Sequence, residues 1–116
     1  MKDRPTYTII GDNTKIEGTL HIKGSLMVAG EIDGDIFSSE TVRIAEEAKV
    51  SGKVTAAEVF LNGFVGNGIH CAGKVVLGSQ SKLIGELTAS RLIVEEGAVF
   101  VGKSEVNDPE STESAE

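Results

Sequence analysis

The chain contains no tryptophan, one tyrosine and four phenylalanines among 116 residues, too few rings to line an aromatic ligand pocket. Its single cysteine, Cys71, excludes an internal disulfide. No basic-then-apolar leader is visible at the start, so a reducing cytoplasm is the expected compartment. No apolar run approaches the ~18 residues of a membrane-spanning helix. Basic residues number 11 against 18 acidic, a net charge of −7. Such a surface repels phosphate backbones and anionic headgroups, which disfavours nucleic acid as a direct partner. Helical i, i+3, i+4 apolar spacing is not sustained anywhere, and no helix is expected.

What is present is aliphatic and rich in turns. Fourteen glycines mark many places where the backbone bends sharply, and the length suits one domain with one core. Residues 1–8, with Lys2, Asp3, Arg4 and Pro5, bury little and read as a flexible arm. Residues 107–116 carry Asp108, Pro109, Glu110, Glu113 and Glu116 among hydroxyl residues and read as a disordered acidic tail. The domain is expected over 9–106.

Within those bounds an apolar pair of form φ-x-φ recurs at Leu26/Val28, Val42/Ile44, Val59/Leu61, Val75/Leu77 and Leu92/Val94, at spacings of 16, 17, 16 and 17 residues. This is an internal repeat. Each pair is followed by a second apolar position (Ile32, Val50, Val65, Leu83, Phe100). Four residues beyond comes a third position, occupied by Ile36, Val54, Ile69, Leu87 and Ser104. Ile10, Ile16 and Leu20 begin the series, so six units align. Gly18, Gly34, Gly52, Gly85 and Gly102 separate the second and third positions. The fourth unit places Asn67 there, a residue that also tolerates positive φ. Two residues past the third position stand Ser38, Ala56, Cys71 and Ala89, which implies a corner too tight for larger side chains.

Three short strands per 15 to 18 residues describe one triangular coil, and the expected fold is an all-β, single-domain β-solenoid of about six coils. A solenoid does not close along its axis, so each end leaves a ring of backbone groups and an apolar floor uncovered. Neither flanking stretch has the amphipathic pattern of a capping helix. Two such ends form joints that do not close on themselves, and the unit is expected to grow into a fibre without a nucleotide.

The succession Ile-x-Gly-x-Leu, Ile-x-Gly-x-Ile, Val-x-Gly-x-Val and Leu-x-Gly-x-Leu, interleaved with φ-x-φ pairs, resembles a bactofilin domain over Ile10 to about Val106. That resemblance implies a right-handed parallel β-helix and a bacterial cytoskeletal protein. It implies nucleotide-independent, non-polar filaments with head-to-head and tail-to-tail contacts. It also implies a scaffold for cell-wall enzymes or chromosome-partitioning factors, in many members at the inner face of the cell membrane. Residues 1–5 show no convincing membrane-targeting segment. By the same resemblance the C-terminal joint falls to Phe100 with Leu92, Val94 and Val99, and the opposite joint to Tyr7, Ile9 and Ile10. Phe100 filling the wide end of the stack is the plainer alternative for that residue.

Enzymatic readings fare worse. Ile10, Ile16, Ile22 and Val28 fall at six-residue spacing, as in hexapeptide-repeat enzymes, but coils of 15 to 18 residues cannot keep that period. His21 and His70 are 49 positions apart and a shared metal site wants about three histidines; they read as solvent-facing strand residues. Cys71 has no histidine partner set by sequence and reads as a packed, inert thiol. Gly63-Phe64-Val65-Gly66-Asn67-Gly68 lacks the Gly-Lys-Ser/Thr of a phosphate loop and reads as a β-turn. Glu46/Glu47 and Glu95/Glu96 share one turn position, a solvated corner or a docking surface for a basic partner. No catalytic residue, metal or cofactor is expected. The rival to a filament is a non-polymerising β-solenoid that binds one protein.

Overall fold

Runs of Val, Ile, Leu and Thr cut short by glycine or polar pairs favour brief strands over helices. The computed structural model describes residues 7–106, and these form sixteen strands and no helix. Coil one comprises β1 (Tyr7–Ile10), β2 (Lys15–Glu17) and β3 (Leu20–Ile22). Coil two comprises β4 (Ser25–Val28), β5 (Glu31–Asp33) and β6 (Ile36–Ser38). Coil three comprises β7 (Thr41–Ile44), β8 (Lys49–Val50) and β9 (Val54–Ala56). Coil four comprises β10 (Glu58–Leu61), β11 (Phe64–Val65) and β12 (Ile69–Cys71). In coil five β13 (Lys74–Leu77) is followed by a single long strand, β14 (Lys82–Ala89). Coil six repeats this with β15 (Arg91–Val94) and β16 (Val99–Val106).

All pairings are parallel and join neighbouring coils. The first face is a six-stranded sheet in the order β1-β4-β7-β10-β13-β15. The second and third faces are stacks that merge where β14 and β16 run through the corner between them. The structure is thus the six-coil parallel β-solenoid that the repeat implies.

Register turns the sequence repeat into columns of core side chains. Leu26, Val42, Val59, Val75 and Leu92 stack on the first face, as do Ile10, Val28, Ile44, Leu61, Leu77 and Val94. Ile16, Ile32, Val50, Val65, Leu83 and Phe100 stack on the second. The middle members are fully buried, and each adds ~1.5–3 kcal/mol. Ala56, Cys71 and Ala89 point inward at the tight third corner, as their size predicts. In the end coils Ile22 and Val106 take that place and stay half-buried, since no described coil lies beyond to crowd them.

The alternation of 16 and 17 residues has a structural source at the first corner. Coils three and five turn it with four residues, closed by bonds from Ala48 N to Ala45 O (3.0 Å) and from Ser81 N to Gly78 O (3.0 Å). Coils two and four cut across with Ala29-Gly30 and Asn62-Gly63. A Cβ on Gly30 would strike the carbonyls of Gly11 and Thr14; one on Gly63 would strike those of Ala45 and Ala48. Each short corner therefore nests against the turn of the coil before it, which only glycine permits. A third corner one residue shorter in coils three and five offsets part of the difference.

Three expectations need correction. Asn67 does not adopt positive φ; Gly68, one residue later, takes it at φ 92°, because glycine adopts that conformation at no steric cost. The stretch 63–68 is not a mere turn, since Phe64–Val65 is strand β11, paired with β8 and β14. Strand β1 includes Tyr7 and Thr8, so the first coil starts sooner than residue 9. The remaining residues of the arm, and the tail, lie outside the described residues.

Candidate functional site

Strands β1, β2 and β3 pair only toward coil two, and β15 and β16 only toward coil five, among the described strands. The inward side chains of these coils are less buried than those at mid-stack. At the first end Ile16, Leu20 and Ile22 are half-buried; at the other, Val94, Ala98, Phe100 and Val106. Each has part of its ~1.5–3 kcal/mol still to gain on being covered. The two ends are therefore apolar floors framed by strand edges.

The residues singled out from sequence divide into three groups. Phe100 and Val94 lie in the last ring as expected, half-buried and facing the axis. Ile10 and Leu92 also face inward but are already 6% and 7% exposed, so a joint gains little further from them. Ile9 and Val99 point sideways: Ile9, 63% exposed, aligns with Met27, and Val99, 45% exposed, aligns with Lys82. Tyr7 pairs with Ser25 through the backbone at the edge of the first face. Ile16, Leu20, Ile22, Ala98 and Val106 complete the two rings and were not singled out. Their places in the aligned repeat, first or last in each column, are the signal that finds them.

Groups with chemical potential are scattered. His21 and His70 share an outward column on the third face but stand three coils apart, about 14 Å at the β spacing, too far for one metal ion. His21 instead stacks on Phe37, with centroids 5.0 Å apart and planes 7° from parallel. Cys71 is buried, its Sγ 3.1 Å from the Ala57 carbonyl oxygen, and burial pushes its thiol pKa up. That opposes thiolate chemistry. A groove of about 270 Å³ on the second face, lined by Lys15, Glu31, Asp33, Lys49 and Phe64 among others, falls short of the ~300–1,000 Å³ usual for small-molecule sites. Among the described residues no helix is long and apolar enough to cross a membrane.

Comparison with known proteins agrees with this geometry. Residues 8–105 match the model of the bactofilin family, described as polymer-forming cytoskeletal. The chain is 27% identical over 103 residues to bactofilin BacP of Myxococcus xanthus (strain DK1622), covering 89% of this chain and 43% of the relative. It is 25% identical over 100 residues to BacO of the same organism, covering 86% and 79%. The chain thus spans less than half the length of the first relative and about four fifths of the second. Among solved structures, it is similar to a cryo-EM reconstruction of Thermus thermophilus bactofilin double helical filaments. The TM-score is 0.77 at 29% identity, over 85% of this chain and 98% of that one. With a family match spanning nearly the whole solenoid, this chain belongs to the bactofilin family, whose members are polymer-forming cytoskeletal proteins.

Proposed function

We propose that this chain is a non-enzymatic filament subunit that joins end to end through its first and last coils. The carrying observation is the pair of half-buried apolar rings, Ile16, Leu20 and Ile22 at one end and Val94, Phe100 and Val106 at the other. Covering a ring and pairing its strand edges contributes ~0.5–1.5 kcal/mol per hydrogen bond beyond the apolar gain, against an association cost of ~4–15 kcal/mol. No nucleotide or cofactor is required. The arrangement we favour is head to head and tail to tail, giving a non-polar filament in which Phe100 meets Phe100 at one joint and Ile16, at the other end of the same column, meets Ile16 at the other. The Thermus thermophilus relative, described as forming double helical filaments, supports polymerisation and suggests that two such filaments wind together here. The cellular role that fits is a cytoplasmic scaffold for cell-wall enzymes or partition proteins, at the inner face of the membrane where a partner holds it there.

Electron microscopy of the purified protein without nucleotide tests this. Unbranched fibres are expected, and Phe100→Arg is expected to convert them to short, folded species. A charge confined in the joint costs about 3 kcal/mol, roughly a 100-fold rise in the concentration needed to assemble, while a lone end lets the side chain reach water. Long fibres from Phe100→Arg would remove that residue from the joint. A sharp monomer peak for the unmodified chain across micromolar concentrations would favour the single-partner binding module instead.

A further inference from the structure

Register places one outward column of the first face, Ile9, Met27, Arg43, Phe60, Val76 and Ile93, in a straight stripe across all six coils. Its members alternate with core residues, so they do not serve the interior. Ile9 and Ile93, at the two ends of the stripe, are 63% and 40% exposed. Its only charge is Arg43, whose guanidinium lies 4.5 Å from the centre of the Phe60 ring. Where successive protomers meet with their first faces on the same side of the filament, this stripe runs on across the joint as an apolar line.

Charge is distributed around the stripe in an ordered way. On one side the parallel column runs Ser25, Thr41, Glu58, Lys74 and Arg91, basic over coils five and six. On the other side lies the first corner, where Asp12, Glu46, Glu47, Glu95 and Glu96 are exposed with no basic residue among them. At the coil-six end the face therefore grades from basic (Lys74, Arg91) through apolar to acidic (Glu95, Glu96) along its strands.

We propose that this first face pairs two filaments side by side, stripe against stripe; the proposal rests on the filament reading above. A two-fold axis along the stripe, parallel to the coil axis, sets the basic column of each copy beside the acidic corner of the other. Lys74 then faces Glu95 and Glu96 of the second copy within about one 4.8 Å rung. An anionic lipid surface fits less well, because the acidic residues of the first corner in coils one, three and six oppose it. The face measures roughly 29 Å by 13 Å at standard strand dimensions, about 400 Å² per copy. That is half of the ~800 Å² each partner contributes to a stable complex. Isolated protomers therefore do not pair through it, whereas filaments that align many copies do.

Mass per unit length, measured by scanning transmission electron microscopy, tests the proposal with a Met27→Glu/Val76→Glu variant, both residues pointing out of their strands and away from the end rings. The unmodified protein is expected to show paired filaments, and the variant single ones at half the mass per length. Lys74→Glu is expected to split pairs, and adding Glu95→Lys with Glu96→Lys in the same chain to restore them. An unchanged mass per length in the Met27/Val76 variant overturns the proposal, as do single filaments from the unmodified chain. Loss of all fibres from a folded variant also overturns it, placing the stripe in the end joint. If phosphatidylglycerol vesicles bind the unmodified protein but not the variant while mass per length is unchanged, lipid is the occupant and the proposal fails. Absence of fibres from the unmodified protein is a different result, one that defeats the filament reading itself.

Discussion

At the scale of single residues, Cys71 shows how the fold disarms a reactive group. Its thiol fills the third corner, where Ala56 precedes it and Ala89 follows one coil later, and burial is the main cause that raises its pKa, with the nearby Glu58 charge adding to it. The folded state holds the thiol proton more tightly than the unfolded chain does. The associated stability is complete below the ordinary thiol value of about 8.5 and is lost as pH climbs from there toward the folded value. Denaturant melts at pH 7 and pH 10 are expected to differ more for the natural chain than for Cys71→Ala. Alkylation of Cys71 by iodoacetamide is expected to be slow in the native protein and fast in denaturant, and fast native labelling would contradict the buried placement. Cys71→Leu overfills the corner and is expected to lower stability by ~1–3 kcal/mol. The corner was legible because Ser38, Ala56, Cys71 and Ala89 recur there in order. The shift of positive φ from Asn67 to Gly68 was not, since both residues permit it and only the path of coils four and five selects between them.

Among elements, the corners carry as much specificity as the strands. Gly63 is held in a short corner against the carbonyls of Ala45 and Ala48, so Gly63→Ala is expected to force the coil apart at a cost of ~1–3 kcal/mol, a drop of several degrees in melting temperature. Ile69, fully buried between Val54 and Leu87, is expected to cost ~2–5 kcal/mol as Ile69→Ala. Circular dichroism melts check both, and neither change is expected to prevent fibres at temperatures where the protein stays folded. The inward columns could be read from spacing alone, because a strand with one buried face repeats every second residue. The outward stripe from Ile9 to Ile93 could not. Its members differ in type, and Arg43 interrupts them, so the stripe emerges only once the coils are set in register. For the same reason Ile9 and Val99, apolar and near the ends, read from sequence as joint residues although they point sideways. Ile10 and Leu92 do face inward, yet spacing carries no information on how much of each is already covered.

As a whole, the molecule is scarcely longer than it is wide, 35 × 33 × 21 Å, so an elongated object must arise by stacking copies. The acidic excess is gathered largely on the first corner and in the tail sequence, while the half-buried inward side chains of both end coils are apolar. Fibre formation driven by those rings is expected to persist at 0.5 M salt, where the screening length is only a few ångström; sedimentation at low and high salt checks this. The most direct test is a cryo-EM reconstruction of fibres grown from the purified protein without nucleotide. The account predicts the coil axis along the fibre and subunits meeting at coil one against coil one and coil six against coil six, with Phe100 enclosed in the second joint. Subunits joined only through their faces, with the coil axis across the fibre and Phe100 open to solvent, would contradict it.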